Sequence, residues 1–403
     1  MEVPRMEQVE RRAGSLVAAG TGVIAVTYGL VRFGYGLHLP AFTAEFALPG
    51  TVAGAVAAGS FAGYCAAALL AQWLVSRGRP RLTLWTACAL ATVGALGTAA
   101  AWSATSLAVG VVVAGSAAGA ASPALVAAVA ATVRAPAADR AQAVVNSGTG
   151  GGVVVGGLLA AALSGQWRLL WVGFAVAAVV VTWWADRRTT WPTGPAAPRA
   201  DASRLRTDLA ALRPSLVAAL LAGAGSAAVW TFGRDLLATT GGLPAVTTAL
   251  LWSVLGGAGI LGAASGDLVH RLGPRRAWAA TAVVMAAATA VLVVLPGLVL
   301  PAAVALAAFG GSYVAMSGVL IVCATRVTPH RAAGSTAILF VALTAGQALG
   351  AAALGALADV TSLATGFLGA AALVLLSTVA AARQSGHPVA APAGASRRTI
   401  RVR

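Results

Sequence analysis

Twelve apolar runs, most of them about as long as a bilayer-spanning helix, follow one another along the chain with short polar breaks between them. They cover residues of about 15–40, 51–75, 82–102, 106–133, 141–164 and 167–185, and then 214–238, 245–269, 277–296, 299–325, 333–357 and 361–382. Within each run the apolar residues are continuous instead of alternating, so the pattern predicts helices and excludes a transmembrane β-barrel. The texture changes once, at 186–213, which is proline-rich, charged and poor in apolar residues, the chemistry of a linker. Residues 1–14 are a charged tail, and 383–403 are a basic, Ala/Pro-rich tail expected to be disordered. The expected fold class is therefore an all-α integral membrane protein of twelve transmembrane helices, in two six-helix halves, 15–185 and 214–382. Arg11 and Arg12 precede the first run as in a signal peptide, yet some 22 apolar residues follow without a cleavage box, so a retained first helix is expected.

Composition agrees: 59% of the 403 residues are hydrophobic and 9% charged, and the mean hydropathy is +0.86, too apolar for a soluble globule. The net charge of +16 would suit a nucleic-acid partner were it not so distributed. There is no lysine; of the 27 arginines, 24 fall in the tails and in alternate breaks, Arg168 falls on the other side, and Arg32 and Arg234 fall inside spans. This is the positive-inside pattern, and it places both termini in the cytoplasm and the chain, multi-pass, in the plasma (inner) membrane. Cys65, Cys88 and Cys323 lie inside apolar spans without metal-ligand spacing, so neither disulfide nor metal is expected, and no cofactor. H-E-x-x-H and G-x-S-x-G are absent, and no enzyme activity is expected.

The stretch Val23–Pro40 carries the sharpest chemistry. Tyr28, Arg32 and Tyr35 follow at spacings of four and three and share one helical face. A buried arginine there costs roughly 2.5–3.5 kcal/mol on insertion scales, so that face should look into the bundle and meet an anionic or dipolar partner. Trp230-Thr-Phe-Gly-Arg234 repeats the aromatic and arginine at the same spacing in the seventh run, so the two arginines are expected to meet at a shared centre. The halves match elsewhere too: Arg134-Ala-Pro136 with Arg326-Val-Thr-Pro329, and Arg77-Gly78-Arg79-Pro80-Arg81 with Arg271-Leu-Gly273-Pro274-Arg275-Arg276. Matches in one order argue for a parallel internal duplication.

Gly266-Asp267-Leu-Val-His270-Arg271-Leu-Gly273-Pro-Arg275-Arg276 resembles the loop signature of the major facilitator superfamily, G-x-L-a-D-r-x-G-x-R-R. His270 stands in the aspartate position, with Asp267 about one turn earlier, and the copy after the second run keeps only Gly78 and Arg81. The resemblance implies a transporter, with these residues as a loop that helps hold one conformation. More narrowly, Arg32-Phe-Gly-Tyr35-Gly-Leu-His38-Leu-Pro40 and Phe232-Gly-Arg234-Asp235-Leu-Leu resemble the YbfB/YjiJ-type branch of that superfamily.

Glycines four apart, as in Gly59/Gly63, Gly115/Gly119, Gly148/Gly152/Gly156, Gly262/Gly266 and Gly346/Gly350, suit close helix packing. The resemblance puts them on the sliding surface between the halves. Gly148 and Gly157 also match part of the superfamily's exporter motif, whose proline is missing.

Two guanidiniums from matched helices would suit a carboxylate or phosphate. The expected activity is secondary transport, by alternating access, of a small anionic organic solute held by Tyr28, Arg32, Tyr35, Asn146, Arg234, Tyr313 and Gln347. Asn146 and Gln347 enter because the resemblance implies that the fifth and eleventh helices line the cavity. Asp235 and His38 are the coupling candidates; the coupling partner, a proton or a counter-anion, stays open. A proton-coupled drug or metabolite antiporter is the alternative, disfavoured by the scarcity of intramembrane acids, and a non-transporting sensor is the remote one. The lipid bilayer is the expected environment, a monomer the expected state, and nucleic acid is not an expected partner.

Overall fold

A computed structural model describes the backbone of residues 3–191, 202–262 and 266–383, and side-chain surroundings at 11–191, 206–262, 268, 269 and 271–383. Among the described residues there is no strand, and twelve helices are long and apolar enough to cross a membrane. They are α1 (Arg11–Phe46), α2 (Gly50–Ser76), α3 (Pro80–Ala99), α4 (Ala104–Thr132), α5 (Ala135–Ala162), α6 (Trp167–Arg188), α7 (Arg206–Thr239), α8 (Ala245–Gly262), α9 (Arg271–Val294), α10 (Val299–Val327), α11 (Pro329–Val360) and α12 (Leu363–Ala382).

Several boundaries differ from the apolar pattern, three of them at a proline or a charge. Helix α1 continues through Pro40 to Phe46, where Ala47 turns left-handed at φ 49° before Pro49. A proline removes one backbone bond, and packed membrane helices absorb that loss. The helix leading into α7 begins at Ala202, so the last part of the expected linker is helical. Its charge finds partners there: Asp208, nearly buried, lies 3.3 Å from Arg331 and from His330 at the start of α11. At the other end of the linker, Asp186 extends α6 by accepting from Nε and Nη2 of Arg81, both at 2.8 Å, and from Trp191 Nε1. The proline-rich middle of the linker and the tail from 384 onward lie outside the described residues.

The loops after α2 and α8 each place a glycine at positive φ. Gly78 has φ 72° and Gly273 φ 74°, values open to glycine at little cost; Gly78 closes the end of α2, while Gly273, with ψ 161°, interrupts the helix that enters α9. Arg271, Arg275 and Arg276 are exposed there, while the side chains of Asp267 and His270, and Gly266 with them, lie outside those described.

Within each half the first helix is seated by glycines. Gly148 and Gly152 of α5 rest on the carbonyls of Thr21 and Ala25 in α1, and Gly346 and Gly350 of α11 rest on those of Leu220 and Ala224 in α7. This packing fixes the register of the duplication. Carried along the two helices, it sets Phe33-Gly34 on Phe232-Gly233 and Tyr35, not Arg32, on Arg234. The two arginines are therefore not equivalent; Arg234 stands about one turn further along its helix. Both helices carry a wide π-helical stretch at that Phe-Gly pair, Ala25–Arg32 ending just before Phe33 and Ala228–Phe232 ending on Phe232, closed in α1 by the Phe33 N–H donating to the Tyr28 carbonyl at 3.0 Å. Such turns concentrate at functional sites.

Most of the four-apart glycines pack inside a half, and not at the seam as expected. Gly63 and Gly115 face Ser116 and Ser60 across α2 and α4, Gly119 meets the Tyr64 carbonyl, and Gly262 meets Gly311 of α10. Spacing selects a helical face without saying what covers it. The seam instead uses Gly54 against Ala351 and Gly355, Gly150 and Gly157 against α8, and Gly36 against the Trp230 carbonyl. At one end of the seam the Asp359 carboxylate caps the start of α2 across the halves, accepting from Gly50 N (2.8 Å), Thr51 N (2.8 Å) and Thr51 Oγ1 (2.6 Å). Those N–H groups have no partner inside their own helix, which is why a carboxylate settles there.

Candidate functional site

Arg32 ends the π-helical stretch of α1 and is 5% exposed. Its Nη2 crosses the seam to α11, donating to Gln347 Oε1 at 2.8 Å and to Thr344 Oγ1 at 3.2 Å. The Arg32 Nε is buried without a partner. Aromatic faces surround the guanidinium carbon: Tyr64 at 4.2 Å, Phe33 at 5.2 Å, Phe61 at 5.3 Å and Tyr28 at 5.5 Å from the ring centres. Among the described residues, no carboxylate lies at ion-pair distance from Arg32. A buried cation is thus held by neutral dipoles and π-faces, a desolvated arrangement that attracts an anion.

Polar contacts extend on both sides. Gln347 Nε2 donates to the Tyr313 hydroxyl at 3.1 Å and reaches Ser226 Oγ at 3.4 Å. Tyr28 shares hydrogen bonds with Ser122 (2.7 Å) and Tyr64 (3.1 Å). Beside them Phe33 stacks on Trp230 across the seam, centroids 3.9 Å apart and 21° from parallel, and Trp230 meets Tyr313 edge-on at 5.4 Å. Tyr28, Arg32, Gln347 and Tyr313 thus come together, joined by Tyr64, Thr344, Ser122 and Ser226. Sequence reasoning missed these last four. Thr344 alone carried a signal, lying three residues before Gln347 on one helical face.

The other expected members lie elsewhere. Arg234 is 7% exposed and engaged through all three nitrogens: Nε donates to Thr248 Oγ1 at 3.1 Å, Nη2 to the Ala245 carbonyl at 2.8 Å, and Nη1 to the Leu37 carbonyl of the opposite half. It shares no partner with Arg32, so the expected common centre of two arginines is not formed; the one-turn offset separates them. Arg234 instead ties α7 and α8 to α1. Tyr35 donates to the Ala53 carbonyl of α2 at 2.9 Å and stacks on Phe42, a tie inside the first half. Asn146 is exposed and accepts from Gln142 Nε2 at 2.9 Å, one turn away. His38 is 3% exposed among Phe42, Trp171 and Phe174; its Nδ1 lies 2.9 Å from the Gly34 carbonyl and its Nε2 has no partner. Asp235 forms no ion pair with the adjacent Arg234, and its Oδ1 is buried without a partner. Among the described residues no group of three or more His, Cys, Asp or Glu side chains could hold a metal ion.

Comparison with known structures shows the fold. A nucleoside transporter, NupG, in the form of a point mutant, matches at a TM-score of 0.78 and 11% identity, over 92% of this chain and 99% of that one. A bacterial homologue of the human lysosomal transporter Spinster, inward-facing and unoccupied, matches at 0.70 and 16% identity, over 92% and 95%. A D-xylose–proton symporter matches at 0.71 and 13% identity, over 92% and 97%. No curated protein shows significant sequence similarity to the chain. The family model described as Major Facilitator Superfamily matches residues 21–343. A match over that much of the chain, on twelve apolar helices with transporter folds as neighbours, places the protein in the Major Facilitator Superfamily, as a multi-pass membrane transporter rather than an enzyme.

Proposed function

We propose that the chain is a secondary transporter that moves a small organic anion by alternating access, with Arg32 as the residue that holds the negative charge. The observation that carries this reading is the environment of Arg32: a cation 5% exposed, at the seam, with neutral partners on one nitrogen and none on Nε. A charge so placed costs stability unless something offsets it, and in this superfamily the seam is where a solute does so. Neutralising Arg32 changes the relative energy of states that differ in how α1 faces α11, which is what coupling a solute to a conformational change requires.

The arginine distribution supports cytoplasmic termini in a plasma membrane. With that orientation the Asp359 cap, the Gly54 and Gly355 contact and the Arg234 tie to Leu37 lie outside, and the largely exposed inner turns of α5 open inwards. The state is then inward-facing. The chain is read as a monomer, in the YbfB/YjiJ-type branch on its Arg32-to-Pro40 stretch. A proton is the second reading for coupling, favoured by the unpartnered Asp235 oxygen. Uptake into proteoliposomes from a fractionated pool of cellular metabolites tests the proposal. Enrichment of anions that is lost in Arg32→Ala supports it. Enrichment of lipophilic cations, independent of Arg32, refutes it in favour of a drug exporter, and no uptake of any fraction favours a sensor.

A further inference from the structure

Arg81 and Arg32 present the same edge of the guanidinium to different partners. At Arg81, Nε and Nη2 each donate to one oxygen of Asp186, both at 2.8 Å. At Arg32, Nη2 is held by the Gln347 carboxamide oxygen and the Thr344 hydroxyl, and Nε has no partner. That edge fits two oxygens in a plane, 1:1 with a carboxylate, and Gln347 Oε1, at 2.8 Å, is the nearer acceptor on the nitrogen that one of those oxygens would take.

Charge narrows the solute further. Arg234 spends one N–H of each nitrogen on Thr248, Ala245 and Leu37 and shares no partner with Arg32, so it is held as a tie between helices and not as a second arm of this seat. Among the described residues, the groups packed on the Arg32 guanidinium are the neutral Tyr28, Phe33, Phe61, Tyr64, Thr344 and Gln347. The seat therefore balances one charge, and a dianion would leave one uncompensated in a desolvated place. Around it the hydroxyls of Tyr28, Tyr64 and Tyr313 are engaged with Ser122, with each other and with Gln347, and their rings supply apolar faces for the rest of the solute.

We infer that the solute is a monocarboxylate with an apolar or aromatic body, seated side-on on the Nε–Nη2 edge of Arg32, and that Gln347 is the specificity-determining residue whose carboxamide oxygen occupies the seat until the carboxylate replaces it. This rests on the reading of Arg32 as the anion ligand. Because the swap exchanges a neutral acceptor for a charged one on the same nitrogen, it also releases α11 from α1 when the solute arrives.

The test is thermal stabilisation of the purified full-length protein by matched probes: benzoate, phenylacetate and hexanoate, the amides of each, phthalate, and phenyl phosphate at a pH where it is a dianion. At least one monocarboxylate should bind tenfold or more tighter than its own amide and than both dianions. Gln347→Glu, which installs a resident carboxylate, should abolish that binding while the protein keeps its unfolding transition. Gln347→Ala, which removes the resident acceptor, should tighten it, and weaker binding in Gln347→Ala also overturns the assignment. Tighter binding of phthalate or phenyl phosphate, unchanged binding in Gln347→Glu, or a flat response to every probe overturns the monocarboxylate assignment while leaving an organic anion open to the metabolite-pool experiment. Equal binding of amides and acids, indifferent to Arg32→Ala, sinks the anion reading itself.

Discussion

Replacing Gly36 by alanine puts a methyl group where the seam has no room for one. A Cβ at Gly36 would lie 2.0 Å from the carbonyl oxygen of Trp230 and 3.2 Å from the Trp252 ring, and the first of these neighbours is backbone that cannot rotate away. Helices α1 and α7 must then part by roughly 1 Å, and overpacking of that kind costs about 1–3 kcal/mol. The strain acts only while the halves are closed at this end, so it shifts the balance towards the state open there by roughly 5- to 150-fold. Gly152→Ala is the control: its Cβ would meet the Ala25 carbonyl at 2.1 Å, but inside the first half, where both states suffer alike. Spin labels at Ser164 and Thr240, exposed on loops of opposite halves, in a background lacking Cys65, Cys88 and Cys323, read the separation by pulsed electron resonance. The long-distance population should grow in Gly36→Ala and not in Gly152→Ala. Identical distributions in both variants and the wild type would refute the argument that α1 and α7 part in the transport cycle.

Three further outcomes follow from the same geometry. Asp359→Asn removes the charge that caps α2 across the seam, so cysteines introduced beside it should label faster from outside, with Asp359→Glu closer to the wild type; equal labelling in all three would make the contact incidental. Asp186→Asn should loosen the loop after α2, seen as faster hydrogen exchange at Gly78 and Arg79, because Arg81 loses a bidentate partner. Cysteines near residue 200 and residue 403 should label only from the cytoplasm and those near Glu45 only from outside, and labelling of residue 200 from outside intact cells would overturn the orientation.

The span count was legible because an apolar run of about 20 residues has few alternatives to a helix in lipid. Arg32 was legible as well: a lone cation inside such a run must find partners. Their identity was not, since Thr344 and Gln347 lie 312 and 315 residues away and only packing brings α11 to α1. The duplication was half-read. Aromatic-x3-Arg matched Tyr28–Arg32 with Trp230–Arg234, whereas the seating of Gly148, Gly152, Gly346 and Gly350 shows that Phe-Gly is the shared pair. That shift of one turn turned an expected two-arginine clamp into one arginine with an unpartnered Nε and one tie between helices. His38 and Asn146 stand away from the Arg32 cluster for a simpler reason. A helix has several polar faces, and spacing alone does not say which one meets the seam.

Equilibrium binding of the strongest solute found in the proteoliposome screen, measured on purified wild type, Arg32→Lys, Arg32→Ala and Arg234→Lys, tests the central claim most directly. The account predicts binding weakened tenfold or more in Arg32→Lys, which keeps the charge but not the planar edge, and lost in Arg32→Ala, while the unfolding transition survives in both. Arg234→Lys, at an arginine that ties α8 within its half and α1 across the seam, should alter the rate of exchange across the membrane more than affinity for the solute. Full-affinity binding by Arg32→Ala, or loss of binding confined to the Arg234 variant, would contradict it.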